Sequence, residues 1–196
     1  MHFSAALLAG GRSIRMGRDK AFLEIDGKPL WQRQLGILQE LVPSEIFIAG
    51  PSRAEWLQAG LEVVPDAVNG SGPLAGLVGV LRRCTTPHLL AFAVDLPNMT
   101  PDFLRRLLAS CHPGKGIIPR NDHRFEPLAA VYPVACLSLA ESLLQTKRYA
   151  LQELATCAVS EQLLIEKQIS REDEALFFNL NTPEDFAFQR RILPAT

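Results

Sequence analysis

An apolar run from Phe3 to Leu8 leads without a break into "LAGGRSIRMGRDK", Leu8 to Lys20. Gly10 and Gly11 are adjacent, and Gly17 follows six residues later. Arg12, Arg15, Arg18 and Lys20 are interleaved with a single acid, Asp19. The apolar run predicts a buried strand. A strand that ends in a glycine-rich, cationic loop narrows the choice of folds, because the loop must open at one end of a sheet with room for an anion. Glycine lets the backbone approach closely and turn N–H groups toward that anion. The cations neutralise the remaining charge. The plain alternative is a surface turn with solvated arginines. However, three glycines and four cations within thirteen residues exceed what a turn requires.

The rest of the chain alternates strand and helix patterns. "AFLEIDGKPL" carries a turn at Asp26–Gly27. Pro29 suits the first turn of a helix whose apolar face is Trp31, Leu35, Leu38 and Val42, spaced by four and three. Glu45 to Gly50 and Glu62 to Val64 predict short strands, with a short helix from Arg53 to Ala59 between them. Pro73 opens a helix through Leu81, its N-terminus facing the side of the first loop. His88 to Val94 is a nearly continuous apolar run, expected for a central strand covered on both faces, and Asp95 ends it. Thr100 caps a helix begun by Pro101, with Phe103, Leu104, Leu107 and Leu108 on its apolar face. Strands are predicted at Gly116–Pro119, Pro127–Tyr132 and Leu176–Leu180. Helices are predicted at Val134–Leu144, within "TKRYALQELA", and from Pro183, where Thr182 is the cap and Glu184 and Asp185 favour the positive end of the dipole. Phe186 and Ile192 are packing positions of this last helix. This alternation predicts an α/β fold: a mostly parallel central sheet with helices on both faces, in a single domain spanning 1–196.

Two positions carry chemistry beyond the first loop. An acid at the C-terminal end of a central strand lies where open α/β sheets bind ligands. The plain alternative is that Asp95, before Leu96–Pro97, caps or turns the chain, as an Asp before proline commonly does. The cationic loop tips the balance, since an acid and a phosphate loop together are the two halves of a magnesium–phosphate site. The glycines Gly70, Gly72 and Gly76 are spaced G-x-G-x-x-x-G, one residue too long for a dinucleotide fingerprint, which argues against a dehydrogenase. There is no G-x-x-x-x-G-K-[ST], which disfavours a P-loop NTPase.

Composition narrows the rest. A chain of 196 residues, 47% hydrophobic, suffices for one substantial core. A net charge of −1 excludes nucleic-acid binding by bulk electrostatics. No apolar run approaches a membrane span, and the N-terminus lacks a signal-peptide pattern, so a cytoplasmic protein is expected. Cys84, Cys111, Cys136 and Cys157 are widely spaced and form no C-x-x-C, so free thiols are expected.

Four blocks, "LAGGRSIRMGRDKA", "GPLAG", "VDLP" and "FFNLNTPED", spread in order from Leu8 to Asp185. In these the chain resembles the molybdopterin guanylyltransferases, the nucleotidyltransferases of molybdenum-cofactor biosynthesis. The resemblance implies a Rossmann-like nucleotidyltransferase fold and transfer of GMP from GTP to molybdopterin, with release of pyrophosphate. It implies Mg²⁺ as the cofactor, GTP and molybdopterin as substrates, and other cofactor-biosynthesis proteins and molybdoenzyme chaperones as partners. It implies no nucleic-acid and no membrane partner.

Carried over residue by residue, the resemblance gives the backbone of Leu8, Ala9 and Gly10 the task of holding guanine and its nucleoside. Gly11, Arg15 and Gly17 would wrap the triphosphate, and Lys20 would neutralise its charge. Asp66 matches a nucleotide-binding aspartate, and Asp95 the magnesium ligand. Gly72, Gly76, Asn179 and Asn181 match substrate-binding positions, and Arg148 a basic residue that contacts the pterin phosphate. Lys20, Arg15 and Asp95 form the catalytic set. There is one departure. Where the family often has an asparagine after its second strand, this chain has Ala49 or Gly50 in "FIAGPS".

The implied acceptor is already an anion at neutral pH, so no Ser, Cys or His nucleophile is needed. The task is positioning and charge neutralisation. Rival readings within the same chemistry are a cytidylyltransferase on the same cofactor and a sugar-phosphate nucleotidyltransferase. A rival of another class is a non-catalytic nucleotide-binding regulatory or chaperone module. The joint presence of Lys20 and Asp95 speaks against that one.

Overall fold

The computed structural model describes residues 1–10, 19–68 and 70–192, the side chains of 190–192 excepted. Its centre is a sheet of seven strands in the order β5-β4-β1-β6-β8-β7-β9. In chain order the strands of this sheet are β1 (Ser4–Leu8), β4 (Glu45–Ala49), β5 (Glu62–Val64), β6 (His88–Ala93), β7 (Gly116–Arg120), β8 (Ala129–Pro133) and β9 (Leu164–Gln168). The strands β5, β4, β1 and β6 are mutually parallel. Strand β8 runs antiparallel to both β6 and β7, and β9 is parallel to β7. A small hairpin, β2 (Glu24–Ile25) and β3 (Lys28–Pro29), turns at Asp26 and Gly27, whose φ values of 52° and 70° fit a two-residue hairpin turn.

Residues of β1 alternate between two cores, as a period of two demands. Ala5 and Leu7 face α1 (Leu30–Gln39) and α4 (Pro101–Ala109), where they meet Leu30, Leu38, Leu104 and Leu107. Ala6 and Leu8 face the opposite side, where α3 (Pro73–Leu81), α5 (Cys136–Gln145) and α6 (Leu151–Ser160) supply Leu77, Val80, Leu144 and Leu154. Helices therefore cover both faces, as the sequence predicts. Every residue of α3 from Leu74 to Leu81 is buried, whereas α4 is two-sided and leaves Arg105 and Arg106 exposed. The Thr100 hydroxyl accepts from the Phe103 N–H at 3.3 Å and starts α4 as expected. The helix α7 (Pro183–Ile192) begins at the predicted place, with Thr182 as its cap and Phe186 packed on the core. The four cysteines are free. Among the described residues no helix is long and apolar enough to cross a membrane.

Several expectations are corrected. Leu176–Leu180 is not a strand. A 3-10 turn covers Glu174–Phe177, and Phe177 and Leu180 enter the core at a spacing of three, not two. Phe177 meets Phe103 edge-on, with ring centroids 5.2 Å apart. The strand β9 has no counterpart in the sequence reading. Its "LIEKQ" is an edge strand with exposed Glu166 and Gln168, so its apolar signal is thin. Pro29 precedes α1 instead of joining it. Val42 leaves the apolar face of that helix: it lies beyond the helix end with φ 53° and is exposed.

Candidate active site

Two pockets, of about 340 Å³ and 220 Å³, open over the C-terminal ends of β5, β4, β1 and β6. They share Leu8, Gly10 and Pro73, so they form one continuous cleft. The larger is floored by glycines. Gly50 lies so close to Gly10 that a Cβ at Gly50 would stand 2.8 Å from the Gly10 nitrogen. Gly72 has a φ of 67° just before α3, a conformation that suits glycine. A Cβ at Gly76 would stand 3.3 Å from Asp66 Oδ1. Burial raises the Asp66 carboxyl above its ordinary pKa. Leu8, Gly10, Asp66, Gly72 and Gly76, all expected in the site, therefore come together here.

The N–H groups of Ala9 and Gly10 both donate to the Ala49 carbonyl, each at 3.0 Å. Their task is to fix the end of β1 against β4. This clarifies the departure at Ala49 and Gly50. The backbone of Ala49 holds the turn, and the absence of a side chain at Gly50 lets Gly10 approach.

The smaller pocket brings Lys20 and Asp95 together across 75 residues of sequence. Lys20 Nζ lies 3.1 Å from Asp95 Oδ2 and 2.9 Å from Asn181 Oδ1. Two oxygens from distant segments thus converge on one cation. Each is held from behind. The Val94 N–H donates to the Leu8 carbonyl at 3.1 Å, and the Asp95 carbonyl accepts from the Leu180 N–H at 3.0 Å. Gln34 of α1, 1% exposed, donates to the Leu96 carbonyl at 2.6 Å and so supports the turn that carries Asp95. Asn181 is fixed by the cap of α7. Asp185 Oδ2 accepts from the Asn181 and Thr182 N–H groups at 2.9 and 2.8 Å, and Thr182 Oγ1 accepts in return from the Asp185 N–H. These bonds, the Asn181 N–H foremost, hold the Asp185 carboxyl below its ordinary pKa.

Other expected residues stand apart. Asn179 donates to the Phe177 carbonyl at 3.0 Å and lines neither pocket. Arg148 pairs with Glu153 and lines neither pocket. It does lie at the same end of the sheet. Gln152, in the first turn of α6, grips the Phe125 backbone through both its amide atoms, and Phe125 belongs to the loop between β7 and β8 that opens at that end. Gly11, Arg15 and Gly17 lie outside the described residues. The sequence reading missed Gln34. The available signal was a polar residue between Trp31 and Leu35, on the apolar face of a helix.

Comparison with known proteins bears on what this cleft binds. The MobA-like NTP transferase domain family matches residues 5–161. A probable molybdenum cofactor guanylyltransferase of Opitutus terrae is 34% identical over 96% of this chain and 95% of its own length. Another, of Pelotomaculum thermopropionicum, is 32% identical over 95% of this chain and 91% of its own. Among solved structures, molybdopterin-guanine dinucleotide biosynthesis protein A of Archaeoglobus fulgidus superposes with a TM-score of 0.77 at 23% identity, covering 96% of this chain and 97% of that one. A nucleotidyl transferase of Methanothermobacter thermautotrophicus superposes at 0.78 with 19% identity, covering 97% of each chain.

Proposed function

This chain belongs to the MobA-like NTP transferase family, among the molybdenum cofactor guanylyltransferases, and on that premise we propose that it transfers GMP from GTP to molybdopterin. The terminal phosphate oxygen of molybdopterin attacks the α-phosphorus of GTP. A phosphoanhydride bond forms there, the bond to the β-phosphate oxygen breaks, and pyrophosphate leaves with its electron pair. The observation that carries the reading is the convergence of Lys20, Asp95 and Asn181 beside a glycine-floored pocket.

Both reactants are anions, so the chain's residues work by placing them and offsetting charge. Leu8, Ala9, Gly10, Gly72 and Gly76 shape the nucleoside pocket. Asp66 offers it a hydrogen-bond acceptor. Gly11, Arg15 and Gly17 wrap the triphosphate, and Lys20 stabilises the leaving pyrophosphate. Losing Lys20 to alanine costs roughly 3–4 kcal/mol of transition-state stabilisation, the scale of one preorganised donor. Arg148, beyond β8 at the same end of the sheet, meets the phosphate of the pterin. Asn179 contributes through the backbone it braces before Asn181.

The donor set at Asp95 suits a hard divalent cation. Its carboxylate and the Asn181 amide oxygen already gather around a positive charge, and magnesium is content with few protein ligands. Asp95 is the residue that would hold Mg²⁺. Bound there, the ion supplies charge neutralisation on phosphate oxygens and polarises the phosphorus.

The test is incubation with GTP, Mg²⁺ and molybdopterin, with pyrophosphate release as the readout. Release that requires all three supports the reading. Release unaffected by omitting molybdopterin, or none at all, overturns it.

A further inference from the structure

The turn that presents Lys20 is gripped from outside the glycine-rich loop. Asp19 caps it: Oδ1 accepts from the Ala21 N–H at 3.2 Å, at the start of the 3-10 turn Lys20–Phe22. Asp19 Oδ2 accepts from Arg53 Nη2 at 2.8 Å and Nε at 3.3 Å, a side-on guanidinium contact. Arg53 is the residue just before α2 (Ala54–Gln58). The same short helix puts Trp56, which is fully buried, against Phe22, the last residue of the turn, with ring centroids 5.9 Å apart and planes 18° from parallel. Segment 53–56 therefore holds the turn at both ends, one end by charge and the other by an aromatic face. Lys20 lies between them.

We infer that Arg53 is a positioning residue for the transfer reaction, acting through Asp19 to hold the Lys20 ammonium at the Asp95 end of the cleft. The inference rests on the reading of Lys20 given above. Without Arg53, Asp19 Oδ2 would lose its partner beside α2, and the turn that carries Lys20 would lose that tie to the sheet side. With it, that carboxylate is neutralised and turned toward the cap. The pair is not a stability device. The two side chains are 40% and 29% exposed, and exposed ion pairs contribute little to folding. Its value is geometric, because a displacement of about 1 Å at a reacting centre can cost roughly a hundredfold in rate.

This separates activity from stability, and a double-mutant cycle reads the difference. Pyrophosphate release with GTP and molybdopterin is measured for Arg53→Ala, Asp19→Asn, Lys20→Ala and the double variant Arg53→Ala/Lys20→Ala, with the thermal midpoint of each. Asp19→Asn keeps an oxygen for the cap and removes the charge. The expected result is a kcat lowered roughly 10–100-fold in Arg53→Ala and in Asp19→Asn, with KM for GTP within about twofold and the midpoint hardly moved. Adding Arg53→Ala to Lys20→Ala should change nothing further. Independent losses that multiply in the double variant, or a KM for GTP raised with kcat unchanged, overturn the inference, since Arg53 would then touch the nucleotide itself. Wild-type kcat in Arg53→Ala while Lys20→Ala is impaired overturns this inference alone. Wild-type kcat in Lys20→Ala overturns the assignment of Lys20 and this inference with it.

Discussion

The sheet has two unlike halves that meet at β6. In one, β5, β4, β1 and β6 run parallel, so all four deliver their C-terminal ends to the same edge. In the other, β7 and β9 also end at that edge, but β8 reverses direction between β6 and β7 and brings only its beginning there. The cleft follows this difference. Among the described residues, its lining comes from the ends of the four parallel strands and the segments just after them, with Leu128, ahead of β8, as the single contribution from the other half. A parallel strand must be followed by a crossover, and that crossover is free to carry glycines, cations and an acid. An antiparallel strand returns through a short connection with less to offer. We assign nucleotide chemistry to the parallel half and leave the rim beyond β8 to the acceptor.

Substitutions in each half break or sharpen this division. The largest effect is expected at the end of β6. Asp95→Ala should lower GMP transfer, measured with Mg²⁺ present, roughly a thousandfold, at or beyond the upper range for losing one preorganised electrostatic group, with the thermal midpoint nearly unchanged. Near-normal turnover would remove Asp95 from the site. On the other side, Arg148→Ala should raise KM for molybdopterin by roughly 5–10-fold and leave KM for GTP alone, the modest scale of an exposed charge contact. A raised KM for GTP instead would blur the division.

A smaller and opposite effect is expected at Asp66. Burial raises its folded pKa, so the fold favours the protonated form, and ionisation costs stability once the pH exceeds the ordinary value of 3.8. Asp66→Asn should therefore raise the thermal midpoint at neutral pH while weakening GTP binding, and the gain in midpoint should vanish as the pH falls below that value. A lower midpoint at neutral pH would show that the carboxylate has a stabilising partner. The smallest effect is expected at Asn179, whose amide bonds only locally to the Phe177 carbonyl. For Asn179→Ala, kcat and both KM values should stay within about twofold of wild type. A large rise in KM for molybdopterin would return this residue to substrate contact.

The two halves also differ in how far the sequence discloses them. β1 and β6 are covered on both faces, so their apolar runs are nearly unbroken and each ends in a residue type that ligands use. That Lys20 and Asp95 would share an edge follows from strand direction alone. The edge strand β9 is half solvent-exposed and carries Glu166 and Lys167, which hides it. Residues 176–180 have strand-like composition, but their burial follows a turn of three residues, and composition does not distinguish the two. Polar partners chosen across long separations are hardest to see. Neither the bond from Gln34 to Leu96 nor that from Arg53 to Asp19 has a period or motif, since each depends on which crossovers the fold stacks side by side.

The measurement that bears most directly on the proposed guanylyl transfer is the choice of base. Pyrophosphate release is followed with GTP, CTP, UTP and ATP in turn, each with Mg²⁺ and molybdopterin. A pocket that reads guanine through hydrogen bonds should give GTP a kcat/KM at least about a hundredfold above CTP. Turnover of CTP as fast as GTP, or faster, would contradict it.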